Sequence, residues 1–108
     1  MTTEDHHMSD LLAREDIDTA LAALPGWAYE DDKLVRTADV PAERQDGLVE
    51  AVMNVADEVN HHPDVSRDAD SVTFRLWTHS AGGVTAKDVD LAARIEAQLS
   101  GSGTDTGG

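Results

Sequence analysis

The chain predicts an α+β domain: an αββαββα protomer whose four-stranded antiparallel sheet has its helices packed on one face. Three observations carry this. Segments with helical apolar spacing alternate with two pairs of short extended runs. Clusters suited to tight turns, Glu30-Asp31-Asp32-Lys33 and Asp68-Ala69-Asp70, divide each pair. The 108 residues suffice for one modest core, and a sheet covered by helices is a layer arrangement that buries such a pattern.

The elements follow in order. Residues 1–10 form a polar, acidic leader that includes His6 and His7, to which no function is assigned. Leu11 to Leu24 sets Leu12, Ile17, Ala20, Leu21 and Leu24 at helical spacing, and Pro25-Gly26 stops it. Trp27–Tyr29 and Leu34–Ala38 predict the first hairpin. Pro41 suits the first turn of a helix reaching about Val59. Leu48, Val52, Val55 and Val59 form its apolar stripe, although Gly47 weakens it. A short strand is expected over Asp64–Arg67. Val72 to Trp77 is the clearest strand: Val72, Phe74 and Leu76 face one way, Thr73, Arg75 and Trp77 the other. Thr85 and Asp88 resemble a capping box opening a helix to about Leu99 that buries Leu91, Ala92, Ile95 and Leu99. The domain thus spans residues 11–99. Residues 100–108 hold glycine, serine, threonine and one aspartate, and predict a disordered tail. No internal repeat is evident.

Composition narrows the function. The formal charge of -14 and pI near 4.3 disfavour direct binding to nucleic acid or an anionic membrane, which carry the same sign. No apolar run approaches the roughly 20 residues that span a bilayer. The leader is unlike a signal peptide. Zero cysteines exclude disulfides, thiolate metal sites and thiol catalysis. A cytoplasmic protein is expected. Lysine occurs only at Lys33 and Lys87, and aspartate outnumbers glutamate. This acidic, lysine-poor composition predicts a protein adapted to concentrated salt, where screening suppresses self-repulsion.

The chemistry points to histidine. His61 and His62 stand in Asn60-His61-His62-Pro63, and His79 follows the clearest strand. Imidazole exchanges protons near neutrality without a large shift. Pro63 drives His62 out of helical backbone, and an irregular corner can aim both rings toward one cleft. If the strand after Pro63 neighbours Val72–Trp77, three imidazoles can meet at one end of the sheet. Asp57, one helical turn before His61, can orient a ring or accept a proton from a ligand. Asp88 can do the same or cap its helix. Trp27 and Trp77 suit packing, or the wall of a pocket for a planar ring. The three histidines also raise a zinc or iron site, but their spacing lacks the i, i+4 helix pair of common zinc sites, so no metal is assigned. Ser66 and Ser80 have no nucleophile elbow or oxyanion loop.

From Gly26-Trp27 through Leu99 the sequence resembles the pterin-4a-carbinolamine dehydratases. The resemblance rests on Ala56-Asp57 with Asn60-His61-His62-Pro63. It continues through Leu76-x-Thr78-His79-x-x-Gly82-Gly83-Val84-Thr85-x-x-Asp88 and Leu91-Ala92-x-x-Ile95. It implies a homodimer or homotetramer that dehydrates a 4a-hydroxytetrahydropterin to the quinonoid dihydropterin, with no cofactor. His61, His62 and His79 are then the acid/base set, with Asp57, Trp77, Thr78 and Asp88 at the pterin, Trp77 and Thr78 through their backbone. Asp57 stands where the family usually has glutamate. Val65, Arg67 and Ala69 stand where it usually has an aromatic, asparagine and tyrosine. Thr37, Asp39, Ala42 and Leu48 replace further aromatics. Two alternatives keep the fold: a non-catalytic dimerisation or regulatory module, and an enzyme on another pterin, as in molybdopterin metabolism.

The salt reading makes its own prediction. Below a few hundred millimolar salt the protein should partly unfold or dissociate, and circular dichroism showing full structure in dilute buffer would reject it.

Overall fold

Every second side chain of the two central strands is withdrawn from solvent, and that alternation organises the molecule. Val72, Phe74 and Leu76 are buried along one strand, and Leu34 and Ala38 along its neighbour. The computed structural model describes residues 11–104. The leader, with His6 and His7, and residues 105–108 of the tail lie outside the described residues.

The elements are α1 (Arg14–Ala22), β1 (Trp27–Glu30), β2 (Lys33–Asp39), α2 (Ala42–Val59), β3 (Asp64–Arg67), β4 (Ser71–Leu76) and α3 (Ala86–Thr104). The strands form one antiparallel sheet in the order β1-β2-β4-β3. The αββαββα order and the sheet are therefore as expected. α1 begins three residues later than Leu11, because Leu11 bridges to Thr85 and the Leu12 N–H donates to the Val84 carbonyl at 3.0 Å. α3 runs past Leu99 to Thr104 despite Gly101 and Gly103. Extending an existing helix adds a hydrogen bond per residue without the nucleation cost.

Local chemistry sets the connections. Asp31 and Asp32 both take positive φ, 51° and 62°, and close β1 onto β2 with Glu30 opposite Lys33. Two left-handed residues give a turn whose twist matches the strands, and aspartate tolerates that region better than most side chains. Tyr29 donates to Asp32 Oδ1 across this turn at 3.1 Å. Burial, then the hydrogen bond to Asp32 and its charge, hold the Tyr29 phenol above the ordinary tyrosine range. Pro41 precedes the first residue of α2 and needs no N–H partner there.

The core lies between the sheet and the helices. Leu34, Val52, Val72, Phe74, Leu76, Leu91 and Ile95 are its most enclosed apolar members. Each such side chain contributes about 1.5–3 kcal/mol on leaving water. Leu48, Val55 and Val59 of the α2 stripe are only partly buried, whereas Ala56 is fully enclosed. Glu96 on α3 accepts from Trp27 Nε1 at 2.9 Å and pairs with Arg36 at 3.1 Å, fixing α3 over β1 and β2. The remaining face of the sheet is polar: Thr37 and Thr73 share a hydroxyl hydrogen bond at 3.0 Å, and Arg75 donates to Ser66.

A buried amide ties α2 to the sheet. Gln45 on α2 is 3% exposed, and its amide donates to the carbonyls of Val40 at 3.0 Å and Asp68 at 2.8 Å. Its Oε1 accepts from Arg67, which also pairs with Asp46. The amide thus locks the start of α2 to the β3–β4 turn. Gln45→Leu should cost about 1–3 kcal/mol in urea unfolding, because two carbonyls lose their donor. A variant as stable as the parent would show that water replaces the amide.

Candidate acid/base site

The corner where α2 ends, β4 ends and α3 begins collects the sequence-predicted residues. α2 stops because Asn60 adopts a left-handed conformation, φ 56°. The His61 N–H returns to the Ala56 carbonyl at 3.0 Å and the Asn60 N–H to the Asp57 carbonyl at 3.1 Å. This double closure is a Schellman motif with asparagine in the usual glycine place. It sends His61 back toward α3, and Pro63, buried, starts the chain into β3.

His61 reaches Asp88. Its Nε2 lies 2.5 Å from Asp88 Oδ1, and the carboxylate has no solvent exposure. The other oxygen, Oδ2, accepts from the Thr78 hydroxyl at 2.8 Å and the Thr85 N–H at 2.9 Å. The Lys87 N–H in turn donates to Thr85 Oγ1 at 3.2 Å. Asp88 therefore caps α3, as the sequence suggested, and also holds His61; the two roles use different oxygens. A buried carboxylate with three donors acts as an acceptor. A proton on His61 Nε2 is thus assigned to the bond with Asp88, and among the described residues Nδ1 has no hydrogen-bond partner.

His62 sits differently. Its Nε2 lies 2.7 Å from Asp57 Oδ1, and both side chains are more than half exposed. Asp57 is therefore a ring-orienting carboxylate for His62, not for His61. His79 is exposed and its ring stacks on Trp77, centroids 4.5 Å apart and planes 22° from parallel. Among the described residues no hydrogen bond holds either His79 ring nitrogen. Lys33 Nζ stands 4.9 Å from the Trp77 ring centroid, bringing the β1–β2 turn to this corner.

The loop after β4 is tightly closed. The Thr78 N–H donates to the Gly83 carbonyl at 2.8 Å, and the Thr78 carbonyl accepts from Ala81 and Gly82. Gly82 has φ +77°, and a Cβ on Gly83 would meet Leu11 Cδ2 at 3.0 Å. Gly82 suits the turn through its positive φ, and a Cβ on Gly83 would press only on the exposed Leu11 side chain.

The structure joins His61, Asp88 and Thr78 directly, with His79 the next residue along. It joins His62 to Asp57 and His79 to Trp77 as separate pairs. Among the described residues no contact links one imidazole to another, and no group of three histidine or acidic side chains is disposed to hold a metal. The cavity of about 860 Å³ lies elsewhere, lined by Arg36, Val40, Arg44, Leu48 and Leu99 among others, and contains none of the three histidines. The cleft expected beside them is not this one; the histidine corner is open to solvent at His62 and His79. Thr85 was read only as a cap in the sequence. Its contact with Thr78 Oγ1 at 2.8 Å depends on a fold-level approach that spacing does not reveal.

Comparison with known proteins agrees with the resemblance in the sequence. Residues 10–98 match the family model described as pterin 4 alpha carbinolamine dehydratase. A protein of Nocardia farcinica named "Putative pterin-4-alpha-carbinolamine dehydratase" is 42% identical over 97 residues, covering 89% of this chain and 96% of that one. A protein of the same name from Mycobacteroides abscessus is 44% identical over 91 residues, covering 82% and 96%. The crystal structure of a transcriptional coactivator/pterin dehydratase from Brucella melitensis superposes with a TM-score of 0.76 at 28% identity, covering 81% of this chain and 96% of that one.

Burial distinguishes the two carboxylates. Asp57→Ala should change stability by less than about 0.5 kcal/mol, whereas Asp88→Ala should cost at least about 2 kcal/mol by leaving buried donors unpaired. Equal values in denaturant titrations would contradict the network.

Proposed function

The chain belongs to the pterin-4a-carbinolamine dehydratase family, and we propose that it converts a 4a-hydroxytetrahydropterin to the quinonoid dihydropterin and water by histidine acid/base catalysis. The observation that supports this is the corner just described, where His61, His62 and His79 each present a ring nitrogen that no hydrogen bond holds among the described residues.

The reaction requires little beyond that. A proton is delivered to the C4a hydroxyl, the C4a–O bond breaks, and a proton leaves a ring nitrogen as the carbon–nitrogen double bond forms. Water departs and no electrons are exchanged with a cofactor. Positioned imidazoles near neutrality suit both transfers. His62 and His79 are the candidates for the residue beside the 4a-hydroxyl. His79 has both ring nitrogens available, and His62 keeps Nδ1 while Asp57 orients its ring. His61 assists from Nδ1, its other nitrogen being held by Asp88. Asp57 and Asp88 thus serve the pterin through the rings they hold. The N–H and carbonyl of Thr78 are already used within the loop, so Trp77, just past the end of β4, is the residue suited to meet the pterin edge. Trp77 also seats His79.

The enzyme is read as a cytoplasmic homodimer or homotetramer acting on a tetrahydrobiopterin-type carbinolamine. The name of the Brucella melitensis structure favours one second reading, a regulatory module on the same fold. The two separate in one assay. In high salt the parent should dehydrate the carbinolamine, and His62→Ala or His79→Ala should lower the rate by about 10²–10⁴-fold. Undiminished turnover in both variants would reject the mechanism; an inactive, folded parent would favour the module.

A further inference from the structure

We infer that the Thr78 hydroxyl is a positioning group for the reaction: by holding Oδ2 of Asp88 it keeps Oδ1 aimed at His61 Nε2, and so keeps that ring seated with Nδ1 turned to the substrate. This rests on the functional reading above, and adds a role for a side chain that family resemblance places at the pterin only through its backbone.

The geometry is one-sided. Asp88 has no solvent exposure, so its charge is balanced by protein donors alone. Oδ2 takes the Thr78 hydroxyl and the Thr85 N–H, at 2.8 and 2.9 Å, and Oδ1 faces His61 Nε2. Thr78 can donate its single proton only once, and it goes to Asp88. The neighbouring Thr85 hydroxyl, 2.8 Å away, then donates to Thr78 Oγ1 and reinforces that direction. The Thr78 side chain is consequently spent within the protein.

Removing that donor loosens the carboxylate. The Thr85 hydroxyl, 3.5 Å from Asp88 Oδ2, is then the nearest replacement donor, and turning toward it moves Oδ1 off the line to His61 Nε2. The other titratable groups at the corner are His62 with Asp57 at the end of α2, His79 after β4, Lys33 in the β1–β2 turn and Lys87 in α3. Among the described residues none is hydrogen-bonded to Asp88 or His61 through its side chain.

The test combines turnover with nitrogen NMR of the His61 ring, using the full chain in high salt. The parent ring should show a proton on Nε2 held in a strong hydrogen bond. Thr78→Val should weaken that signature at the same pH. Its kcat should fall about ten- to hundredfold, as for outer-shell groups that orient a working ligand, with a smaller change in KM. Thr78→Ser should restore both readouts. If Thr78→Val does not fold, Thr78→Cys replaces it, keeping the volume with only a weak donor. An unaltered His61 signature, or a loss of turnover that Thr78→Ser does not rescue, overturns the positioning role. An inactive parent would instead reject the functional reading, and the NMR comparison would still judge the hydroxyl.

Discussion

Asp88 is the constraint around which this corner of the fold is built. A carboxylate with no access to water must find its donors in the protein. It takes one from each of three places: the loop after β4, the start of α3, and the residue just beyond the end of α2. Those segments lie far apart in the chain. Satisfying one buried charge therefore fixes where α3 begins, where β4 ends and which way His61 points.

The same logic separates the histidines. His61 is largely enclosed and held by a buried acid, so its orientation is fixed with the fold. His62 is held by a solvent-exposed acid on the preceding helix, and such a pair is screened and weaker. Among the described residues His79 is held by its stacking on Trp77 and by no hydrogen bond. Firmness of seating thus decreases from His61 to His79, while access to a ligand increases. An acid/base site gains from this division, since the group that meets the substrate needs free ring nitrogens and the group behind it needs a fixed tautomer.

Several departures from the family pattern have structural counterparts. Arg67 bonds Gln45 and Asp46, clamping the sheet edge to α2. Val65 packs on the core opposite Phe74 in register. A polar clamp and a small aliphatic side chain thus occupy the strand where the resemblance leads one to expect larger rings.

Strand alternation, the turn chemistry around Asp31-Asp32 and Asp68-Ala69-Asp70, and the capping pattern of Thr85 and Asp88 are local properties, and they specified the αββαββα order. The bounds of β3 were legible for the same reason, set by Pro63 on one side and the turn on the other. Family membership was equally legible, carried by short motifs. What the chain in one dimension did not determine was partnership. Asp57 lies four residues before His61, the spacing of neighbours on a helix, yet Asn60 ends α2 with a left-handed turn that gives Asp57 to His62 and delivers His61 to Asp88. The spent Thr78 hydroxyl and the site's openness are likewise tertiary. Hydrogen bonds between segments distant in sequence depend on how sheet and helices pack, and no local periodicity encodes that.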